Sequence, residues 1–119
     1  MAEYLGVEVS IPPNDPDHLG FLQEAGEGRF SMQQCGDCNK LRYPPGPACP
    51  LCQSLDWEWH EVSGKGAIYS YEVVMHAIHP AYRERAPYIV ALIELDEQRG
   101  EPTEDDALRV ITSLVDANG

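Results

Sequence analysis

The feature that most constrains this chain is a pair of Cys-x2-Cys motifs, Cys35/Cys38 and Cys49/Cys52, with ten residues between them. A two-residue gap turns the chain tightly enough for both sulfurs of a pair to reach one metal. Two such pairs complete a tetrahedron with Zn–S bonds of about 2.3 Å. Gly36 suits the tight turn, and Asn39, just past the second ligand, tolerates the left-handed conformation such turns require. Gln53, at the equivalent place in the second turn, is a poorer fit. Two local disulfides, a redox pair or an iron site of rubredoxin type are the competing readings, and ribbon spacing favours zinc. All four cysteines of the chain are consumed. No ligand position is left for substrate or water, so the expected ion is structural, one per chain, with no chemistry at the metal.

The metal matters because the segment it spans cannot order itself. Cys35 to Cys52 is dense in Gly and Pro, including Tyr43-Pro44-Pro45-Gly46-Pro47, and such a run forms neither helix nor central strand. Around it the pattern is mostly β. Residues 1–14 read as an extended, Pro-containing arm. Asp15 reads as an N-cap with Pro16 at the first helical position, and Gly26 and Gly28 end a helix of two or three turns. A helix that short needs packing, which makes Phe21 and Leu22 candidates for a partner interface, or for capping this chain's own barrel. Phe30–Gln34 and Trp57–Val62 read as ribbon strands, with Trp57 and Trp59 on one face at the junction with the C-terminal strands. Ser63-Gly64-Lys65-Gly66 marks a boundary. Beyond it, Ala67–Met75 places Tyr69, Tyr71, Val73 and Met75 on one face, Tyr88–Leu95 is apolar on both faces, and Leu108–Val115 alternates. An acidic loop, 96–106, separates the last two. The units are 1–29, arm and helix; 30–62, ribbon; and 63–119, the C-terminal strands.

Twenty acidic residues against eight basic ones give a formal charge of −12. That balance repels polyanions at long range and counts against nucleic acid and phospholipid surfaces. No stretch approaches the roughly 20 apolar residues of a membrane span, and the start lacks a signal peptide, so a cytoplasmic, reducing location is the expectation. The one local concentration of positive charge is Tyr82-Arg83-Glu84-Arg85. It is either a solvated loop or a place where Arg83 or Arg85 meets a phosphate or an acidic surface. His76 and His79 read as structural or solvent-facing, because neither has a positioned partner. No nucleophile–base pair, phosphate-cradling Gly loop or open metal site marks a stand-alone enzyme.

Arg29-Phe30, Cys35-Gly36-Asp37-Cys38-Asn39-Lys40-Leu41-Arg42-Tyr43-Pro44-Pro45, Ala48-Cys49-Pro50-Leu51-Cys52-Gln53-Ser54, Val62-Ser63-Gly64-Lys65-Gly66-Ala67-Ile68-Tyr69-Ser70-Tyr71 and Ala86-Pro87-Tyr88 through Leu95-Asp96-Glu97 together resemble the DUF35 family. The resemblance covers most of residues 15–115. It implies an N-terminal helix, a rubredoxin-like zinc ribbon and an OB-fold. It also implies a non-catalytic subunit of a hetero-oligomer whose thiolase-fold partner acts on acyl-CoA, foremost an aldolase of steroid side-chain degradation, otherwise a thiolase or acyltransferase. A MaoC-type enoyl-CoA hydratase is the alternative partner. CoA is then contacted mainly through the partner, with Tyr82, Arg83 and Arg85 as candidate contacts from this chain. A single-stranded nucleic-acid module is the rival function, since zinc ribbons and OB-folds both serve it. An OB barrel has five strands, and three are legible after Gly64. A shortened barrel is therefore expected, either truncated or covered at its edge by a partner, and poorly behaved in isolation.

Overall fold

The computed structural model describes residues 2–4, 6–9 and 14–115. Ala2–Tyr4 (β1) and Val7–Val9 (β2) pair antiparallel, with Gly6 between them at φ +77°. The expected extended arm therefore doubles back as a hairpin, because Gly6 takes a left-handed conformation open to glycine at no steric cost. The proline-bearing residues 10–13 of that arm lie outside the described residues.

The helix α1 runs Pro16–Gly26, and the Asp15 carboxylate accepts the His18 amide at 3.0 Å, the N-cap its sequence calls for. Gly28 at φ +84° takes the chain out of it, and Arg29 ties back to Glu24 and Glu27. No α1 residue is fully buried, so its packing is partial. Phe21 stacks against Phe30 and Tyr43 at ring-centroid distances of 6.3 and 5.7 Å. Gly20 lies so close to the Trp59 ring that a Cβ there would sit 2.8 Å from it. Trp59 thus packs on the helix and edge-on to Trp57, which corrects its expected place at the junction with the C-terminal strands. Its strand faces α1 on that side.

Ser31–Cys35 (β3), Leu41–Arg42 (β4) and Trp57–Glu61 (β5) form an antiparallel sheet in the order β4-β3-β5. The Pro-rich segment after β4 has no ladder to join, and a buried side chain takes over. Gln33 Oε1 accepts from Arg42 Nε at 2.9 Å and from the Gly46 amide at 2.8 Å, while Arg42 Nη2 donates to the Gly46 carbonyl at 3.1 Å.

The C-terminal half is an antiparallel meander of Gly66–Val74 (β6), Tyr88–Leu95 (β7) and Arg109–Ser113 (β8). Directly paired residues share a face, so the register sorts the side chains. Ile68, Tyr71 and Val73 lie with Ile93, Ala91 and Ile89, and with Val110 and Thr112. A bulge between Ile68 and Ser70 sends Tyr69 to the other face, where the Arg109 guanidinium sits 3.8 Å from its ring centre. The expected single stripe of Tyr69, Tyr71, Val73 and Met75 is corrected to that extent, since one extra residue inverts the alternation.

A single core joins the halves. Met32, Leu41 and Val62 from the ribbon side pack with Leu95, Leu108 and Val110, and Phe21, Phe30, Tyr43 and Ile93 flank them. This core occupies the end of the meander where Gly66 pairs with Leu95. Along the edge strand β6 the same face is bare, with Ile68 56% exposed even at the core end. Ala91 is fully buried, yet its cross-strand neighbour Tyr71 is 65% exposed and Val73 42%. The core runs out across the sheet, at its edge strand β6.

Candidate metal centre and the joint behind it

Each pair of cysteines is set by the same local device. The Cys35 amide donates to the Lys40 carbonyl and the Asn39 amide to the Cys35 carbonyl, at 2.9 and 3.1 Å; Cys49 with Ser54, and Gln53 with Cys49, repeat this at 2.9 and 2.8 Å. Asn39 and Gln53 both adopt φ near +60°, at 62° and 63°. The second value corrects the expectation that Gln53 fits poorly. Two hydrogen bonds per turn and a ligand on either side over-determine the backbone, and such constraint sustains a left-handed residue that is not glycine. Gly36 contributes differently, because a Cβ there would make the Asp56 side chain turn away.

The four sulfurs converge within 4.8 Å of one another. Cys35 and Cys52 are 3.5 Å apart and Cys38 and Cys49 3.7 Å. A tetrahedron with 2.3 Å metal–sulfur bonds has edges of about 3.8 Å, whereas a disulfide needs about 2.05 Å. The donor set fits one metal ion, and all four cysteines are free of disulfides. Backbone amides supply the surrounding hydrogen bonds. Those of Cys38 and Asp37 point at the Cys35 sulfur and hold its thiol down to about 6. Those of Cys52 and Leu51 do the same at Cys49, where they outweigh a burial that pushes the thiol up. The other two ligands are left more basic, because the Ser54 amide favours the Cys52 thiolate less than its sulfur neighbours and burial oppose it. Thiolates packed this closely need a cation to coexist, which is the service a structural zinc performs.

Behind the metal, the loop read as merely acidic and exposed is the joint between the halves. Gln98 accepts the Leu41 amide and donates to the Leu41 carbonyl, both at 2.8 Å, so its amide closes the free edge of the ribbon strand. Glu97 accepts the Ser63 amide at 2.6 Å. Lys40, one residue past the first metal turn, meets Asp106 at 2.9 Å. Sequence reasoning missed these residues because a polar side chain in an acidic loop carries no sign of the backbone it will meet.

Lys40, and then Thr103, hold the Asp106 carboxyl below its ordinary value. A carboxyl lowered on folding adds stability above its unfolded value, about 3.9, and that contribution fades as pH falls through the folded value. Asp106→Asn should therefore be less stable than the parent at neutral pH. At neutral pH, where the zinc stays bound, the gap should narrow with added salt as an ion pair near the surface is screened, read as urea midpoints of the zinc-loaded proteins at low and high ionic strength; a gap constant with salt would refute the ion pair's role.

The remaining candidates lie elsewhere. Phe21 faces this chain's own core and Leu22 is exposed. Tyr82, Arg83 and Arg85 sit on a 3-10 turn, Pro80–Arg85, at the end of the sheet away from the ribbon. Tyr82 stacks on Tyr88 at 5.0 Å, and His79 Nδ1 caps the turn by accepting the Ala81 amide at 3.1 Å. None of them joins the cysteines. Among the described residues no helix is long and apolar enough to cross a membrane.

Residues 22–58 match the family model described as the rubredoxin-like zinc ribbon domain of ChsH2, and residues 59–118 that of its C-terminal OB-fold domain. Over 104 residues the chain is 40% identical to a probable enoyl-CoA hydratase alpha subunit of Thermomonospora curvata, covering 87% of this chain and 29% of that protein. A DUF35 domain-containing scaffold protein of Methanocaldococcus jannaschii is 37% identical over 65 residues, covering 54% of this chain and 45% of the relative. The chain thus spans less than half the length of both. Among solved structures, a chain of the Ltp2-ChsH2(DUF35) aldolase superposes with a TM-score of 0.70 at 40% identity, covering 89% of this chain and 75% of that one. A DUF35 protein of Sulfolobus solfataricus with unknown function shares the fold, at a TM-score of 0.54 and 17% identity, with 81% of this chain and 67% of that one covered.

Proposed function

The chain belongs to the DUF35 family, in the ChsH2 group of zinc-ribbon and OB-fold proteins, and from that premise we propose that it is a non-catalytic scaffold subunit of an enzyme acting on acyl-CoA. The observation that carries this reading is the half-bare face of the OB sheet. Tyr71 and Val73 continue the face that buries Ala91 and Val110, yet they stand in solvent. Contiguous apolar surface of this kind marks an interaction site, and the β6 edge beside it offers unpaired backbone groups to a neighbour. The occupant is the large subunit of a hetero-oligomer. In support, the similar solved chain belongs to a two-component aldolase, and the archaeal relatives are described as scaffold proteins.

The large subunit is a thiolase-fold protein, foremost an aldolase that cleaves steroid side-chain acyl-CoA, on the resemblance to DUF35 partners. The Thermomonospora relative favours a second reading, in which the partner is a MaoC-type hydratase. In either case this chain supplies a wall and a rigid joint, and the reacting groups belong to the partner; its place is the cytoplasm. A nucleic-acid role is disfavoured by the charge of −12. Co-expression with the candidate acyl-CoA enzymes of its own host tests the reading. A stable heteromer with carbon–carbon lyase activity is expected, and hydratase activity would select the second reading. Turnover of acyl-CoA by the zinc-loaded chain alone would overturn both.

A further inference from the structure

The four cysteines are not equally placed. Cys35 and Cys49 are 0% and 2% exposed, Cys38 is half-buried, and Cys52 is exposed. A metal-bound cysteine is held as its thiolate, and the thiolate is the reactive form wherever access allows it. An oxidant arriving from solvent therefore meets Cys52 first. A second sulfur is already in place behind it. Cys35 Sγ lies 3.5 Å from Cys52 Sγ, on the other metal turn, and a disulfide of about 2.05 Å needs the two to close by only about 1.5 Å. The charge of the chain selects the oxidant. At −12 it repels anionic disulfides of the glutathione type at long range, whereas a hydroperoxide is neutral and small.

We propose that Cys52 is a site of oxidation by hydroperoxides, with Cys35 as the resolving thiolate, and that the chain exchanges its metal for a disulfide between the two turns. In the first step the Cys52 sulfur attacks the peroxide O–O bond, takes one oxygen as a sulfenic acid and expels hydroxide. In the second, the Cys35 thiolate attacks the Cys52 sulfur, the S–S bond forms and a second hydroxide leaves. The two thiolates together give up two electrons, the peroxide takes them, and solvent protons convert both hydroxides to water. Two of the four ligands are then lost, and Cys38 and Cys49 alone cannot complete a tetrahedral site. The disulfide joins the same two turns that the metal joined, so reduction by a thiol in the presence of zinc restores the site. The proposal rests on the metal centre and is independent of the partner's reaction.

The test exposes the zinc-loaded, reduced chain to hydrogen peroxide with a zinc-sensitive dye present, and maps the cysteine linkages by peptide mass. Zinc should be released in step with a Cys35–Cys52 linkage, and a thiol reductant with added zinc should reverse both. Glutathione disulfide at the same concentration should release zinc more slowly. Cys52→His removes the exposed sulfur yet keeps a ligand, because Cys3His sites are structural as well. It should hold its zinc through a peroxide exposure that empties the parent. Cys38→His is the matched control at a half-buried ligand and should lose zinc as the parent does. Zinc retained by the parent, a linkage confined to one turn, a linkage that omits Cys52, or Cys52→His emptied as fast as Cys38→His would each overturn the proposal. If either variant binds no zinc at the outset, the linkage map of the parent decides alone.

Discussion

Removing the zinc should unfold the OB strands along with the ribbon. The reason lies in the single core. Met32 and Leu41 come from strands that lead into or out of the first metal turn, and they pack with Leu95, Leu108 and Val110 of the meander. Without the metal, the segment from Cys35 to Cys52 keeps its turn hydrogen bonds, the Gln33–Arg42–Gly46 contacts, Gln98 on Leu41 and the Lys40–Asp106 pair, none of which ties one cysteine pair to the other. Structural zinc is worth roughly 10–16 kcal/mol in finger peptides, about the whole stability of a small domain. The meander alone keeps Ala91 buried but loses one side of its core. Chelation, or Cys49→Ser, should therefore abolish the near-ultraviolet dichroism of Trp and Tyr together and remove hydrogen-exchange protection from β7 in the same transition. Protection of β7 that survived chelation would show that the two halves fold independently.

The second large effect concerns association. Tyr71→Asp with Val73→Asp places two carboxylates on the bare half of the OB face. The side chains are already exposed at 65% and 42%, so the thermal midpoint of the isolated chain should change little. Binding to the large subunit should fall by more than about 2 kcal/mol, the cost of a hot-spot residue, or about thirtyfold in affinity. Ile111→Asp is the control, because register places Ile111 on the opposite face. Equal loss with Ile111→Asp would move the interface to that face, and no loss with Tyr71→Asp would remove it altogether.

Much of this architecture was legible in the residues because it is local. Cys-x2-Cys turns, the Asp15–Pro16 helix start and the apolar run of β7 each depend on neighbours a few positions away, and all three form as their sequences indicate. The illegible part depends on contacts distant in sequence. Gln98 reaches Leu41 across 57 positions, and nothing in an acidic loop announces such a reach. The bulge after Ile68 is invisible to an alternation count, yet it sends Tyr69 to Arg109. Gln33 reads as a strand residue of no consequence, and its burial and two accepted hydrogen bonds make it the organiser of the Pro-rich segment. The extended arm over 1–14 failed at Gly6, where one residue with a positive φ is enough to make a hairpin. At the metal the four ligands were readable from spacing, while the amide hydrogen bonds that surround them come only with the folded turns.

If this chain scaffolds an acyl-CoA enzyme through the bare half of its OB face, the complex should be recoverable intact. The direct measurement is purification of the tagged chain from its own host, in parallel with Tyr71→Asp, with mass determination and assay of each eluate. The parent chain should elute in a stoichiometric complex with a larger subunit that turns over acyl-CoA, and the variant should elute alone. Parent chain eluting by itself, with nucleic acid, or with a partner that the variant retains would contradict the scaffold role.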